Sequence, residues 1–220
     1  MSAPTPIVVF GAGGFGREVV VLLRDIERTA ASSWDLLGFV DDAVPDLTRC
    51  EALGVQYLGD RREAQSKCPA GTHFVAAIGS GAARRLASQD LVSSQGWTPA
   101  TLVHPSVWVG AGVALGAGSI VCAGAILTTN ITFGAGAQIN LSCTIGHDVV
   151  AGEYVTLSPA VSLSGAVKVG DSATIHTRAA VNPLIRIGEG ATVGAGAVVV
   201  KNVPAGDTVG GVPARSLRRA

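Results

Sequence analysis

A strict six-residue period occupies the C-terminal half of the chain, and no other feature of the sequence restricts the fold as strongly. Between positions 103 and 199, every sixth residue is apolar and no insertion interrupts the count. An α-helix repeats at 3.6 residues and a simple strand at two, so neither accounts for this period. Hexapeptide repeats of a parallel β-helix do account for it. The periodic positions are Val103, Val109, Leu115, Val121, Leu127, Phe133, Ile139, Ile145, Ala151, Leu157, Leu163, Val169, Ile175, Val181, Ile187, Val193 and Val199.

Each repeat predicts a short strand and a tight corner, and three repeats predict one triangular coil. We expect the periodic residue to point inward and to stack on its counterpart one coil away. Glycine often follows the periodic residue, and we expect it there to permit the backbone angles of the corner. These glycines stand at positions 110, 116, 134, 146, 152, 170, 188 and 194.

The unbroken period predicts about five coils without a long excursion loop. One face of such a prism would expose a flat apolar strip unless something covered it. The sequence therefore predicts a homotrimer, with active sites between subunits.

The first hundred residues follow a different pattern, in which apolar runs alternate with helical segments. Strands are predicted at 7–10, 36–40 and 73–78, and helices at 17–27 and 82–93, with Asp60 capping a further helix that starts at Arg61. This alternation is typical of a parallel sheet with helices on its faces. We expect a small Rossmann-like α/β domain over residues 1–100 and an all-β parallel β-helix with a short C-terminal tail over residues 101–220.

A glycine motif, Gly11-x-Gly13-x-x-Gly16, joins the first predicted strand to the first predicted helix. Backbone N–H groups at a helix start bind phosphates, and a dinucleotide is one interpretation of the motif. With about three strands the domain is small for a dinucleotide fold, so a mononucleotide or nucleotide-sugar pocket fits better. Alternatively, the glycines only serve the packing of a turn. The predicted substrate-binding residues of this domain are Gly11, Gly13, Gly14, Phe15, Asp41, Asp42 and Ser80.

His147 lies two residues past an expected inward isoleucine, at a corner where side chains face outward, and Asp148 follows it. A histidine suits the removal of a proton from an attacking amine or hydroxyl near neutral pH. A carboxylate can orient the ring, although sequence neighbours need not touch. We expect His73 and His104 to be structural, and His176 to lie on a different face of the prism from His147.

Charge and cysteine content exclude several functions. Sixteen basic residues balance sixteen acidic ones, which predicts neither nucleic-acid nor membrane binding. The four cysteines form no CxxC pair, so we expect reduced, buried thiols in a cytoplasmic protein. No histidines near His147 complete a zinc site, so no metal is predicted and a γ-class carbonic anhydrase is disfavoured. No signal peptide and no membrane-spanning run is predicted.

Together, the two halves resemble the bacterial sugar O/N-acyltransferases related to sialic-acid O-acetyltransferase and to the N-acetyltransferases of UDP- or GDP-linked 4-amino-4,6-dideoxy sugars. The resemblance covers nearly the whole chain and rests on the order and spacing of several segments. These are Phe10-Gly-Ala-Gly-Gly-Phe-Gly-Arg-Glu18, Val40-Asp-Asp42, Ala77-Ile-Gly79, His104-Pro105, Ile139-Asn-Leu-Ser-Cys-Thr-Ile-Gly-His-Asp148 and Gly210-Gly-Val-Pro-Ala214.

The resemblance implies a left-handed winding of the β-helix, acetyl-CoA as co-substrate and a role for each matching residue. His147 would be the general base with Asp148 as its partner, and Asn140 would lie near the acceptor amine. The backbone N–H of Gly165 would bind the thioester carbonyl. The residues implied in acetyl-CoA binding are Gly165, Thr177, Ala195, Lys201 and Arg215.

Two departures from relatives concern the acceptor. Some relatives carry a histidine where this chain has Phe15, and another where it has Thr156. The sequence therefore predicts an acetyl-CoA-dependent N-acetyltransferase of a nucleotide-linked 4-amino-4,6-dideoxy sugar, with direct transfer and a histidine base. The alternatives are an O-acetyltransferase of sialic acid or another sugar hydroxyl, and a non-catalytic nucleotide-sugar-binding or assembly protein.

Overall fold

A computed structural model describes residues 3–29 and 34–217 of the chain. They divide into two compact units. The first takes in the described residues up to Gly79 together with Ala83–Pro105, and the second takes in Ser80–Ala82 and the described residues from Ser106 onward. The helices of the described part are all too short or too polar to span a lipid bilayer.

The first unit is built on a parallel sheet with the strand order β2-β1-β3-β4. Its central strand, β1, is fully buried over the four apolar residues that end it. The elements are β1 (Thr5–Phe10), α1 (Gly14–Arg28), β2 (Trp34–Val40), α2 (Leu47–Glu51), α3 (Arg61–Lys67), β3 (His73–Ala76), α4 (Gly81–Gln95), β4 (Thr98–Pro99) and β5 (Leu102–Val103).

The predicted strands and helices of this unit are confirmed, with three differences. Helix α1 begins three residues earlier than expected, because Gly14 and its neighbours already adopt helical geometry. The sheet has four strands rather than three, since the two-residue β4 pairs with β3, and α2 was not foreseen. Asp60 caps α3 as predicted, accepting hydrogen bonds from the amides of Arg62 and Glu63 at 2.8 and 2.9 Å.

The second unit is a parallel β-helix of two-residue strands. Consecutive coils pair with an eighteen-residue register, so that Ile139 lies beside Leu157 and Leu157 beside Ile175. The strands are β6 (Trp108–Val109), β7 (Ala114–Leu115), β8 (Ile120–Val121), β9 (Ile126–Leu127), β10 (Thr132–Phe133), β11 (Gln138–Ile139), β12 (Thr144–Ile145), β13 (Val150–Ala151), β14 (Thr156–Leu157), β15 (Ser162–Leu163), β16 (Lys168–Val169), β17 (Thr174–Ile175), β18 (Ala180–Val181), β19 (Arg186–Ile187), β20 (Thr192–Val193), β21 (Val198–Val199), β22 (Thr208–Gly210) and β23 (Arg215–Ser216).

Three sheets form the sides of this prism. Face one contains β7, β10, β13, β16 and β19; face two contains β6, β9, β12, β15, β18 and β21; face three runs from β8 through β11, β14, β17 and β20 to β22 and β23. The prediction of an uninterrupted array is confirmed as far as β21. Beyond it the register shortens to sixteen residues, Thr192 pairing with Thr208, and β23 turns back antiparallel to close the unit.

The periodic aliphatic residues fill the interior from Val121 onward, as predicted. The prediction is wrong at the start of the array. Val109 is 47% exposed, and Val103 and Leu115 are only half-buried. The physical reason at Val109 is that β6 has one neighbouring strand on its face, β9, so no preceding coil covers its side chain.

The corner glycines have a different role from the one expected. None of the described glycines directly after a periodic residue has a positive φ; the left-handed position is the third residue after it, as at Gly112 and Asn130. The glycine directly after the periodic residue is required because a side chain there would collide with the next coil. A Cβ on Gly110 would lie 1.6 Å from the carbonyl oxygen of Thr128. Steric contact between coils, rather than backbone angle, selects glycine there.

Candidate active site

His147 and Asp148 form a hydrogen-bonded pair on the corner that follows face two. The Nδ1 atom of His147 lies 2.8 Å from Oδ2 of Asp148. Asp148 occupies the left-handed corner position, with φ of 60°, which turns its side chain back toward the preceding ring. Both side chains are open to solvent, at 64% and 53% exposure. A substrate atom can therefore reach Nε2, the ring nitrogen that Asp148 does not contact.

The carboxyl of Asp148 is held in its ionised form. The hydrogen bond with His147 is the largest cause that lowers the pKa of Asp148 below its ordinary value. Desolvation opposes it, and a smaller contribution from the Asn130 side chain lowers the pKa further. An ionised carboxylate at Nδ1 favours the tautomer with its proton on Nδ1, which leaves Nε2 free to accept a proton. The pair has the arrangement of a general base with an orienting group.

The imidazole of His147 lies directly over the backbone of Gly165, one coil further along the same corner. A Cβ on Gly165 would come within 2.5 Å of both Cε1 and Nε2 of the ring. Ala135 holds the same repeat position elsewhere in the array, so the β-helix itself tolerates a side chain there. Within the described residues, the amide of Gly165 donates to no intrachain acceptor. Nε2 of His147 and the backbone of Gly165 therefore share one corner of the β-helix.

The remaining predicted residues of the β-helix lie on two separate corners. Lys201 continues the corner of His147 and Gly165, whereas Asn140, Thr177 and Ala195 belong to the corner after face three. Asn140 is buried and its Nδ2 donates to the carbonyl oxygen of Leu157 at 3.0 Å. One chain thus does not bring Thr177 and Ala195 together with His147, because face two separates the two corners.

Lys201 and Arg215 both line a cavity of about 270 Å³ at the C-terminal end of the β-helix. Both side chains are exposed. The cavity also contains Asn202, Asp207 and Ser216, so it offers cationic groups beside hydrogen-bonding ones. The structure brings these two predicted residues together.

In the first unit, the glycine motif forms a tight loop between β1 and α1. Gly11 has φ of 102°, and a Cβ there would lie 2.9 Å from the carbonyl oxygen of Ala77. Around Gly13, by contrast, a Cβ would meet nothing within 4 Å. Helix α1 begins without a side-chain cap or an acidic residue in its first turn. Its first amides therefore remain suited to an anionic group.

The two predicted acidic residues of this unit are both engaged. Asp41 accepts hydrogen bonds from the amides of Ala12 and Ala43, at 2.8 and 3.0 Å, and so fixes the glycine loop. Asp42 pairs with Arg61 through both carboxylate oxygens. Arg61 also pairs with Asp90 and lies 5.2 Å from the centre of the Phe10 ring. These charged side chains border a cavity of about 570 Å³.

Three predicted substrate-binding residues remain to be described, namely Gly14, Phe15 and Ser80. Gly14 and Ser80 are exposed, and Phe15 is half-buried. Sequence reasoning missed Arg61 as a partner of Asp42. It lies 19 positions away from Asp42, and no local spacing signals the contact.

The other histidines lie apart from this site. His104 contacts Asp25, with Nε2 3.2 Å from Oδ2, and His73 makes an edge contact with Trp34. His176 is exposed on the corner after face three, on a different face from His147 as predicted. No cluster of three or more potential metal ligands occurs in the described ranges.

None of the four cysteines forms a disulfide. Cys143 points inward as predicted, and burial raises the pKa of its thiol to about 11. A thiol of that kind is protonated at neutral pH and makes a poor nucleophile. Cys68 corrects the expectation of four buried thiols, because it is only half-buried at the end of α3.

The β-helix of hexapeptide repeats, with a hydrogen-bonded histidine–aspartate pair on its corner, defines the class of this protein, the hexapeptide-repeat acyltransferases. The model of the PglD N-terminal domain matches residues 6–91. No curated protein sequence matches the chain. Solved structures do match it over almost its full length.

Three of these structures come from different bacteria. A histidine-to-asparagine variant of perosamine N-acetyltransferase from Caulobacter crescentus, in complex with CoA and GDP-perosamine, is 29% identical, with a TM-score of 0.85 and 99% of each chain covered. WeeI from Acinetobacter baumannii AYE is 31% identical, with a TM-score of 0.85 and coverage of 97% and 100%. The acetyltransferase domain of PglB from Neisseria gonorrhoeae FA1090, in complex with acetyl coenzyme A, is 27% identical, with a TM-score of 0.82 and coverage of 98% and 100%.

The chain belongs to the family of left-handed β-helix sugar acetyltransferases that these proteins represent. The predicted fold, a small parallel α/β domain followed by a left-handed parallel β-helix, is confirmed. So is the prediction that the protein is an acyltransferase.

Proposed function

We propose that the protein transfers an acetyl group from acetyl-CoA to the amino group of a nucleotide-linked 4-amino-4,6-dideoxy sugar. The observation that carries the proposal is the His147–Asp148 pair stacked on the backbone of Gly165. It supports a proton acceptor and an N–H donor at one corner, in a chain 29% identical to an enzyme solved with CoA and GDP-perosamine. Direct acyl transfer needs both groups and no covalent intermediate.

In this mechanism the acceptor amine attacks the thioester carbonyl carbon while Nε2 of His147 removes its proton. The carbonyl oxygen becomes an oxyanion that accepts a hydrogen bond from the amide of Gly165. Collapse of the tetrahedral intermediate breaks the carbon–sulfur bond. The departing CoA thiolate takes the proton from the imidazolium, so the base returns to its neutral state. Asp148 stabilises the imidazolium throughout.

The first unit is the proposed binding site for the nucleotide sugar. The uncapped start of α1 and the open surroundings of Gly13 suit a diphosphate. Because Asp41 is occupied with the loop, we assign it the role of holding Gly11, Gly13 and Gly14 in place. Asp42 retains 51% side-chain exposure beside Arg61 and can accept hydrogen bonds from ribose or base. Phe15 completes the proposed contacts of this unit.

Acetyl-CoA would bind along the β-helix and needs a second copy of the chain. Thr177 and Ala195 on one corner, and His147 and Gly165 on the other, border the two sides of face two. Outward residues of face two carry no charge, in contrast to Lys168 and Arg186 on face one. The outward residues of face two are Trp108, Ile126, Thr144, Ser162, Ala180 and Val198.

A ring closed through face two would bring the corner of Thr177 and Ala195 in one copy beside the corner of His147 and Gly165 in the next. Such a head-to-tail contact closes as a homotrimer when each step is a rotation of about 120°. Lys201 and Arg215 would then bind the CoA phosphates. A reducing compartment such as the cytoplasm suits four cysteines that form no disulfide.

The test is CoA release from acetyl-CoA with a panel of UDP-, dTDP- and GDP-linked 4-amino sugars, for wild type and His147→Ala. We expect release that depends on one of these acceptors and falls at least about a hundredfold in the variant. Asn140 is tested in the same assay as Asn140→Ala, with a raised KM for the acceptor expected.

Two other outcomes would replace the proposal. Release only with sialic acid or another polyol would assign O-acetylation to the same base, with Phe15 and Thr156 as the residues to examine for acceptor choice. If the protein binds a nucleotide sugar but neither binds acetyl-CoA nor releases CoA, a non-catalytic binding function replaces the transferase.

A further inference from the structure

We propose that Asn130 is a positioning residue of the acyl-transfer site, holding the carboxylate of Asp148 in place against His147. The inference rests on the proposed function for its effect on catalysis, and on the geometry of one corner for the contact itself. Asn130 lies outside the segments by which the chain resembles its family, and the sequence analysis did not single it out.

Asn130 and Asp148 occupy equivalent places in consecutive coils. Leu127 pairs with Ile145 in the sheet, and each polar residue follows its partner in that pair by three positions. Both have left-handed backbones, with φ of 53° and 60°. The amide of Asp148 donates to the carbonyl oxygen of Thr129 at 3.1 Å, which fixes the spacing between the coils. The two side chains therefore project from the same corner, one above the other.

The preceding coil orients the side-chain amide of Asn130. A Cβ on Gly112, the equivalent residue of the preceding coil, would lie 2.8 Å from Oδ1 of Asn130. The oxygen of the amide is thus directed down toward Gly112, which leaves Nδ2 as the group available to the coil above. The lowered pKa of Asp148 agrees with this arrangement, because the Asn130 side chain is among its causes, after the hydrogen bond from His147 and the opposing desolvation.

A second donor matters because the site is exposed. With 53% of its side chain open to solvent, the Asp148 carboxylate can rotate away from the ring or exchange its contact for water. A donor on the opposite side restricts that rotation and keeps one oxygen facing Nδ1 of His147. The loss of Asn130 should therefore slow the chemical step without weakening the binding of either substrate, since its side-chain amide is proposed to contact Asp148 and neither substrate.

The variant that tests this is Asn130→Gly, which keeps the left-handed backbone and removes only the amide. We expect kcat to fall about tenfold, with unchanged KM for acetyl-CoA and for the nucleotide sugar. Asn130→Asp is the second variant, since it keeps the shape but places a negative charge beside Asp148, and it should lower kcat further. Ser172→Gly is the matched control, a left-handed corner with φ of 54° on the edge after face one.

A double-mutant cycle shows whether Asn130 acts through Asp148. In an Asp148→Gly background, Asn130→Gly should change kcat less than about twofold, because the group that it positions is absent. Losses that simply multiply, or a wild-type kcat in Asn130→Gly, would overturn the inference. A purely structural role would also lower the melting temperature below that of Ser172→Gly.

A readout without turnover separates this inference from the proposed function. Carbon-13 NMR of the Asp148 carboxyl should show its pKa rising in Asn130→Gly, because one donor is lost while His147 still faces the group. An unchanged pKa would refute the contact even if acetyl transfer is confirmed. A raised pKa in a protein that releases no CoA would keep the contact and reject the acetyl transfer.

Discussion

At the scale of single residues, the chemistry of this protein depends on which atoms share one corner of the β-helix. His147 acquires a partner at Nδ1 from its sequence neighbour only because Asp148 has a left-handed backbone. The opposite nitrogen lies against the backbone one coil away because Gly165 has no side chain. Each of these conditions can be removed by one substitution.

Gly165→Ala should displace the base without changing the fold. Its Cβ would approach Nε2 and Cε1 of His147 to 2.5 Å, so the ring must move. A displacement of about 1 Å at a reacting group costs about a hundredfold, and we expect that loss in kcat. The melting temperature should stay close to that of wild type, because Ala135 shows that this repeat position accepts a methyl group. A fully active variant would remove Gly165 from the site.

The pH dependence of the reaction should not report Asp148. Its pKa is lowered in the folded protein, mainly by the hydrogen bond with His147, so the carboxylate is present above its usual pKa and is lost only as pH falls below that value. Any limb of kcat/KM between about pH 5 and 9 should come from a group other than Asp148. Asp148→Gly should therefore lower the plateau and keep a limb in this range. Disappearance of the limb would identify Asp148 as the titrating group.

At the scale of the elements, each two-residue strand is stable only through its neighbours one coil away. A strand of this length buries one side chain and cannot hold a hydrophobic core by itself. The eighteen-residue register supplies the missing contacts by stacking aliphatic residues, as with Leu157 between Ile139 and Ile175. Stability is then close to a sum over coils and their interfaces.

Val193→Ala and Val109→Ala test this dependence, because they make the same change at the same repeat position. Val193 is fully buried, and its truncation should lower the free energy of unfolding by about 2 kcal/mol through lost burial and a cavity. Val109 is 47% exposed, and its truncation should cost less than about 0.5 kcal/mol. Urea denaturation at fixed protein concentration measures both. Equal losses would contradict the stacked core.

At the scale of the whole molecule, the placement of the proposed acetyl-CoA contacts requires more than one chain. Thr177 and His147 lie on different corners of one prism, and no bending of a continuous β-helix can bring those corners together. Association through face two would join them between neighbouring copies. Oligomeric state and activity should therefore change together.

Ala180→Arg places a charge within face two and should dissociate the protein. Light scattering should give about three times the 22.1 kDa chain mass for wild type and the single-chain mass for the variant, with acetyl transfer lost. Ala114→Arg makes the same change on face one, where Lys168 and Arg186 already lie, and should leave both properties intact. A monomeric and active wild type would end the trimer proposal.

The sequence predicted the fold in detail where the period was strict. The apolar residue at every sixth position specified the strands, their register and the absence of excursion loops. It failed at Val109, because periodicity does not reveal where the array lacks a covering coil. It also misassigned the corner glycines, since contact between coils is invisible along the chain.

The sequence by itself determined the architecture, the position of His147 at a corner and the chemical types at the site, because these follow from local spacing and side-chain chemistry. Only the tertiary structure decided that Asp148 contacts His147 and that Arg61 pairs with Asp42, and the proposed contact of Asn130 with Asp148 likewise depends on the stacking of coils. The physical reason is that directed hydrogen bonds depend on backbone angles and on residues one coil or a whole helix away. A repeat pattern fixes which residues are stacked, and the coordinates fix which of their atoms meet.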